Sequence, residues 1–411
     1  MSGDASRGGS EAVVEVRWPA AGAVSVDEVL RQVSSQELAV GDERVRGFLV
    51  AFGRRLLKER RHPELGPLGF FLRPSELARV LDGLRGEHLR VPRGLVFHVP
   101  PANVDTVFVY SWALSALMGN RNVVRLSPRA GAVAEAVLGT LQDALADADP
   151  VVAGTQRIVS YDRSERVTAA LSSACDLRVI WGGDRAVTEI RRHPLAPHAR
   201  DLTFPDRSSF AVVRAPAWLA APVAARVEAA DGFANDAYWF DQAACSSPRT
   251  VYWVGPPDDC AAARADFTAC LAEAVARRGW AVDAAMAVEK RVATYGLAAD
   301  GVARGIGFHG NVLASVELAT PETAPRRWLG AGTFAHTRLD ALGDLVSLVE
   351  RRDQTMTHFG FERAELEGLA RALGGRGVDR MVPFGAALSF HRVWDGEDLP
   401  AEYTRLVTVS S

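Results

Sequence analysis

A cysteine among small and polar residues, directly ahead of an apolar run, offers the sharpest chemistry in this chain. Phe240-Asp241-Gln242-Ala243-Ala244-Cys245-Ser246-Ser247-Pro248 leads into Thr250-Val251-Tyr252-Trp253-Val254. A cysteine at the mouth of a strand can project its sulfur into a cleft, and the ionised sulfur attacks carbonyls and thioesters to form an acyl-enzyme. Free cysteine is also among the most buried residue types and often serves only as a small hydrophobe. The other three illustrate that alternative: Cys175 follows Ala174 at an apolar helix-to-strand passage, and Cys260 and Cys270 lie in alanine-rich helical sequence, so all three read as core filler. Four cysteines without a C-x-x-C pair argue against a disulfide framework and against a zinc site, and no metal is expected.

Other groups near these motifs could move protons. Histidine is the commonest general acid or base. His98 sits inside a strand-like run and reads as a packed, hydrogen-bonded core residue, whereas His358 follows Gln354-Thr355-Met356-Thr357, close to other candidate site residues. Asp241 precedes Cys245 by four residues and reads as a cap for local backbone, because a carboxylate pressed against a thiolate disfavours its ionisation.

Two turns are suited to a nucleotide. Gly182-Gly183 ends the run Arg178-Val179-Ile180-Trp181 and precedes helical sequence at Ala186-Val187-Thr188-Glu189-Ile190, so its backbone could approach a phosphate at a helix N-terminus. It is not the G-x-G-x-x-G fingerprint, which follows no strand here. Arg125, Ser127 and Arg129 follow the strand Asn122–Leu126, and a guanidinium fork beside a hydroxyl matches phosphate geometry.

These groups need a scaffold, and the chain alternates helical and strand-like segments in the manner of an α/β protein with a mostly parallel sheet. From Val26 to about Leu84 the apolar spacing is helical, broken around Pro63 to Pro67. A strand then spans Gly94 to Val99, a turn Pro100 to Asn103, and an apolar helix Val107 to Met118. The strand Asn122–Leu126, a helix over Ala130 to Leu145 and the strand Arg178–Trp181 follow. This repetition predicts a doubly wound, Rossmann-type cofactor domain with ligands at the carboxyl ends of strands. The chain has 411 residues, 48% hydrophobic and 24% charged, ordinary for a globular protein of two to three domains. Its formal net charge of -3 gives no electrostatic case for nucleic acid, and the arginine runs are interleaved with acids as on solvated helix faces. No apolar run of about 18 residues and no signal-peptide core is present, so the expectation is a cytoplasmic protein without membrane insertion.

The combination Pro92 to Val104 with its Pro-x-Asn turn ending at Asn103, the run Met118-Gly119-Asn120 to Arg125-Leu126-Ser127, the turn Ile180 to Gly183 and the segment Asp241 to Cys245 resembles the aldehyde dehydrogenase superfamily in order and spacing. Phe240-Asp241-Gln242 with Cys245-Ser246-Ser247-Pro248, Asp353-Gln354-Thr355, and the tail from Gly377-Val378-Asp379-Arg380 to Val393-Trp394-Asp395-Gly396 are closer to the fatty acyl-CoA reductases of bacterial bioluminescence systems. The resemblance covers about residues 85 to 400.

It implies an aldehyde-dehydrogenase-like α/β fold in which Cys245 attacks an acyl thioester while the Asn103 side-chain amide and the Cys245 backbone N–H hold the developing oxyanion, at about 3 kcal/mol per donor. Coenzyme A or a carrier-protein thiol leaves, and a nicotinamide delivers hydride. Arg125, Ser127 and Arg129, with Gly182 and Gly183, would bind the cofactor and tilt the expectation to NADPH, with NADH as the alternative; Gln354 and Thr355 stand nearest to a grip on the nicotinamide ribose. Departures also carry information. Where hydrolytic members place a water-activating glutamate, this chain has Phe204-Pro205-Asp206-Arg207, which favours thioester reduction over oxidation to free acid and leaves Asp206 as a stand-in base. The superfamily's strand-end lysine is Arg125 here.

The expected organisation is an N-terminal helical part at 1–84 with a tail at 1–12, a nucleotide-binding domain at 85–206, a catalytic domain at 207–385, and a C-terminal tail at 386–411. The alternating run Tyr403 to Val409 in that tail reads as a strand, which the superfamily passes between subunits of a homodimer or larger assembly and which could instead close its own sheet. An acyl-activating ligase is an expected partner. Two alternatives from other classes remain at this point: an acyltransferase that passes the acyl group from Cys245 to another nucleophile, and a non-catalytic partner-binding scaffold.

Overall fold

The computed structural model describes residues 12–33, 38–101 and 106–410. The chain divides into two compact units: Met1–Pro205 together with Phe390–Ser411, and Asp206–Ser389.

The first unit is built on a seven-stranded sheet in the order Gly22–Ser25, Val13–Trp18, Gln156–Ser160, Arg121–Leu126, Leu95–Val99, Leu177–Trp181, Arg200–Phe204. The last five of these are mutually parallel, and the first two join antiparallel. Leu95–Val99 is buried at every position, as a strand covered on both faces must be. From it the chain steps outward to Arg121–Leu126 and Gln156–Ser160, then returns to place Leu177–Trp181 on its other side. That reversal between Leu95–Val99 and Leu177–Trp181 is the topological position at whose carboxyl ends open α/β sheets bind ligands. Gly94 starts the central strand at φ +128°; a Cβ there would lie 2.1 Å from Asp176 Oδ2, which accepts the Leu95 N–H at 2.7 Å. The helix Val107–Leu117 is apolar on every side and ten of its eleven residues are buried, the pattern of an interior helix. Its Trp112 meets Trp18, Phe48 and Phe52 edge-on with centroids about 6 Å apart.

The N-terminal part, expected to be helical, opens with strands instead. Val13–Trp18 alternates exposed and buried residues, the period-two pattern of a half-buried strand. Helices follow at Val26–Gln32, Glu43–Leu56, Gly66–Phe71 and Pro74–Asp82, with a single 3-10 turn at Pro63–Leu65 where prolines break the pattern. At the other terminus, Thr404–Val407 pairs antiparallel with Leu89–Pro92 of the same chain. Tyr403 beside it is fully buried, with its OH 2.9 Å from Ser111 Oγ.

The second unit carries another seven-stranded sheet, in the order Ala303–His309, Leu313–Leu318, Thr333–Leu339, Pro248–Val254, Ser208–Arg214, Asp353–Phe359, Arg380–Pro383. Only the first pair is antiparallel. One face packs Val251, Trp253 and Phe334 against the helices Val223–Tyr238 and Pro257–Arg278 through Phe233 and Phe267. The opposite face gathers Phe210, Tyr252 and Met356 over Leu345, Leu369 and Leu373. Among the described residues no helix is long and apolar enough to cross a membrane.

Candidate active site

Cys245 lies on the connection between the helix Val223–Tyr238 and the strand Pro248–Val254, partly exposed. That connection is strained. Phe240, Asp241 and Gln242 have φ of 57°, 52° and 59°, three successive non-glycine residues in the left-handed region. Each costs roughly 1–2 kcal/mol for an L-residue, so such a run persists only where surrounding contacts impose it. The Gln242 side chain supplies them. It is 1% exposed, its Nε2 donates to Pro248 O at 2.7 Å and Thr333 O at 3.1 Å, and its Oε1 accepts the Thr333 N–H at 3.1 Å. Trp328 Nε1 adds a bond to Asp241 O at 2.9 Å. Thr333 can come this close because Gly332 precedes it at φ +69°, where a Cβ would sit 2.0 Å from Val312 O.

A second tie reaches Cys245 itself. Ser209 Oγ donates to Cys245 O at 2.7 Å and accepts the Thr355 N–H at 3.1 Å, so a buried hydroxyl links the segment Asp353-Gln354-Thr355 to the Cys245 carbonyl. Asp353 is held bidentate by Arg326, at 3.0 and 2.9 Å. Arg326 O in turn accepts from Arg249 Nη1. Burial pushes the Arg249 guanidinium below its ordinary value, and negative charge on Cys245 and Asp206 pushes it back, so Arg249 is within electrostatic reach of the sulfur. Ser247 Oγ anchors the far side of the turn to Asp236 O at 2.7 Å. The Asp236 carboxylate receives the N–H groups of Gly385 and Ala387 at 2.7 and 2.9 Å, yet burial pushes it up to about 7.

Burial disfavours ionisation of the remaining thiols. Burial pushes Cys175 up to about 12 and raises Cys260 and Cys270 as well. Cys270 is only partly buried, unlike the core filler its alanine-rich surroundings suggested, because it faces Asp266, whose Oδ2 lies 3.9 Å away.

In the first unit, Arg125, Ser127 and Arg129 follow one another at the end of Arg121–Leu126. The Arg125 guanidinium lies over the Tyr161 ring at 4.9 Å, and its buried Nε has no hydrogen-bond partner among the described residues. Ser127 Oγ accepts the Arg129 N–H at 3.2 Å, leaving Arg129 exposed. Gly182 and Gly183 follow the strand Leu177–Trp181, and Gly183, the N-cap of the helix Asp184–Arg191, has no side chain to cap the helix's first N–H groups. Gln354 and Thr355 lie in the second unit, 2% and 0% exposed, with the Thr355 amide spent on Ser209. Asn103 falls outside the described residues.

The histidines and acids resolve differently. His98 is fully buried between Ser111 Oγ at 3.0 Å and Asn122 Oδ1 at 2.8 Å, and burial pushes it down to about 4, as suits a core residue. His358 is part-buried and burial lowers it too. Asp241 does not cap backbone: its exposed side chain makes no hydrogen bond among the described residues, since the left-handed turn aims it outward. Phe204 is 3% exposed and stacks on Trp181 with centroids 3.7 Å apart, so that position holds a packing residue and no carboxylate. Arg249 could have been read from its place four residues beyond Cys245; Ser209 and Arg326 carry no local signal, because only the sheet brings them near.

This architecture is that of the aldehyde dehydrogenases. An NAD-dependent benzaldehyde dehydrogenase of Corynebacterium glutamicum superposes with a TM-score of 0.65 at 14% identity, covering 93% of this chain and 89% of that one. An indole-3-acetaldehyde dehydrogenase solved with NAD+ superposes at 0.65 and 13%, covering 96% and 91%. Within that fold, the family model for acyl-CoA reductase (LuxC) matches residues 73–295, more than half of the chain, and the protein belongs to that family. Curated relatives include the long-chain acyl-protein thioester reductases of Aliivibrio fischeri, 27% identical over 167 residues, and Vibrio harveyi, 30% over 166. Each match takes in 40% of this chain and 33% of the relative, about a third of its length.

Proposed function

We propose that this protein reduces an acyl thioester, on coenzyme A or acyl-carrier protein, to the aldehyde with NADPH through an acyl-Cys245 intermediate. The observation that carries the reading is the setting of Cys245: a partly exposed thiol on a turn clamped at Gln242 and Ser209, with Arg249 near enough to feel its charge, whereas burial disfavours ionisation of the other three thiols. A nearby cation is what a thiolate nucleophile requires. The thiolate adds to the thioester carbonyl, the Asn103 amide and the Cys245 N–H receive the oxyanion, and the substrate's own thiolate departs. When bound, the reduced nicotinamide supplies the hydride that converts the acyl group to the aldehyde level. Collapse of the adduct then frees aldehyde and returns the Cys245 thiolate.

The chain's residues suit that cofactor. The buried Nε of Arg125, unpartnered among the described residues, and the Ser127 hydroxyl match a phosphate, and the N–H groups beyond Gly183, which that glycine cannot cap with a side chain, match another, although Asp184 in that first turn makes this end the poorer anion site. Three cationic or hydroxyl groups at one strand end favour NADPH over NADH. Acyl-enzyme hydrolysis finds no base at Phe204. The names of the curated relatives support a thioester substrate.

The reading extends to a cytoplasmic enzyme that receives its acyl group from an acyl-activating ligase and works as a homo-oligomer. For the last, support comes from the exposed Leu89, Leu406, Val407 and Val409 on and beside the two-stranded ribbon. Light scattering of the purified chain, with Leu406→Glu as control, tests it. For the chemistry, the test is incubation with NADPH and a panel of acyl-CoAs, following absorbance loss and aldehyde. Turnover that Cys245→Ala abolishes supports the reductase; acylation of Cys245 without turnover refutes it.

A further inference from the structure

The left-handed turn ahead of Cys245 needs an agent that enforces it, and one side chain stands out. The amide of Gln242 has two donor hydrogens and an acceptor oxygen, and all three functions are engaged with main-chain atoms: Pro248 O, Thr333 O and Thr333 N–H. Pro248 and Thr333 begin neighbouring parallel strands, so the amide fixes the turn to two rigid elements at once. Ser209 and Trp328 hold one further carbonyl each, at Cys245 and Asp241. Gln242 holds the connection where the backbone departs from its ordinary range, because its own φ is 59°. The neighbouring chemistry allows no simple replacement. Glutamate would set a charge against two carbonyl oxygens, methionine would fill the space without hydrogen bonds, and asparagine is one methylene short.

We propose that Gln242 is a positioning residue: by pinning the left-handed turn to the starts of two strands, it fixes where the Cys245 sulfur and N–H stand relative to the acyl carbon. The inference rests on Cys245 being the nucleophile. It concerns a residue that touches no reactant, so its signature lies in turnover rather than in substrate affinity.

The test uses the full chain with Gln242→Glu, Gln242→Met and Gln242→Met/Asp241→Gly, read by steady-state kinetics and by hydrogen exchange across Pro248–Val254 and Thr333–Leu339. At pH 8 the glutamate variant should lose about 30- to 100-fold in kcat with KM for the thioester changed by less than about threefold. Relative to the parent at each pH, its kcat should recover in part as the pH falls towards 5.5, where the introduced carboxyl takes up a proton and can donate to one of the two carbonyls. The methionine variant should lose kcat without that recovery. Glycine at 241, free to adopt the left-handed region, should restore part of the methionine variant's loss. Parental kcat in either single variant overturns the proposal. So does a loss that does not vary with pH in the glutamate variant, or one accompanied by lost exchange protection in both strands, which marks Gln242 as a general stabiliser. Failure of the nucleophile reading is separable: turnover that survives Cys245→Ala removes that premise, whereas a dead Cys245→Ala beside a fully active Gln242→Glu removes this inference alone.

Discussion

Mild acid should loosen the two units unequally, and the buried groups say by how much. His98, in the first unit, is pushed by burial from 6.5 down to about 4; its Nε2 faces Asn122 and its Nδ1 faces Ser111. A depressed histidine contributes stability that is present above the unfolded value and lost as pH falls from 6.5 through 4, in all about 3 kcal/mol. His336, in the second unit, is pushed down to about 3 and carries the same sign. Its unit also contains Asp236, raised from 3.8 to about 7, whose sign is opposite: its contribution is present below 3.8 and lost as pH rises through 7. From pH 7 to pH 5 the His98 term removes about 2 kcal/mol from the first unit, while in the second the Asp236 gain, about 2 kcal/mol, opposes the losses at His336 and His358. Hydrogen exchange corrected for intrinsic rates should therefore show Leu95–Val99 losing about 30-fold in protection over that interval and Pro248–Val254 losing less. His98→Gln, which cannot titrate, should flatten the first unit's dependence, at some loss of stability near neutrality. Equal losses in both units, or an unchanged acid slope in His98→Gln, would refute this reasoning.

Two further outcomes test the site. Ser209→Ala leaves the Thr355 N–H buried without an acceptor and frees the Cys245 carbonyl, so it should cost about 1–3 kcal/mol of stability in urea unfolding and lower kcat; a fully stable, fully active variant removes the bridge from the account. Arg125→Gln should raise KM for NADPH about tenfold or more, the worth of a charged contact to phosphate, and leave KM for NADH little changed; equal effects on both cofactors place Arg125 away from the 2′-phosphate.

What the sequence exposes and what it hides follow the range of the interactions. The strands Leu95–Val99, Arg121–Leu126 and Leu177–Trp181 were legible from short apolar stretches bounded by turn residues, and the small and polar neighbours of Cys245 are what mark it as a candidate. The strand Val13–Trp18 showed its alternation too, but a short amphipathic run next to a polar tail carries little weight until its partner, Gln156–Ser160, is known. The left-handed turn was invisible for a sharper reason: positive φ is usually announced by glycine, and Phe240, Asp241 and Gln242 contain none. The signal that imposes the turn lies elsewhere, at Gly332-Thr333, more than eighty residues downstream, and at Ser209, upstream on the adjoining strand. The C-terminal return was hidden likewise, since Tyr403 is committed to Ser111 and Asn120, which nothing near Tyr403 encodes. The proposed nucleophile is therefore marked locally in this chain, whereas its placement is set by groups on distant strands. That separation is why Gln242, which joins the two, is the residue at which geometry and reactivity can be pulled apart by substitution.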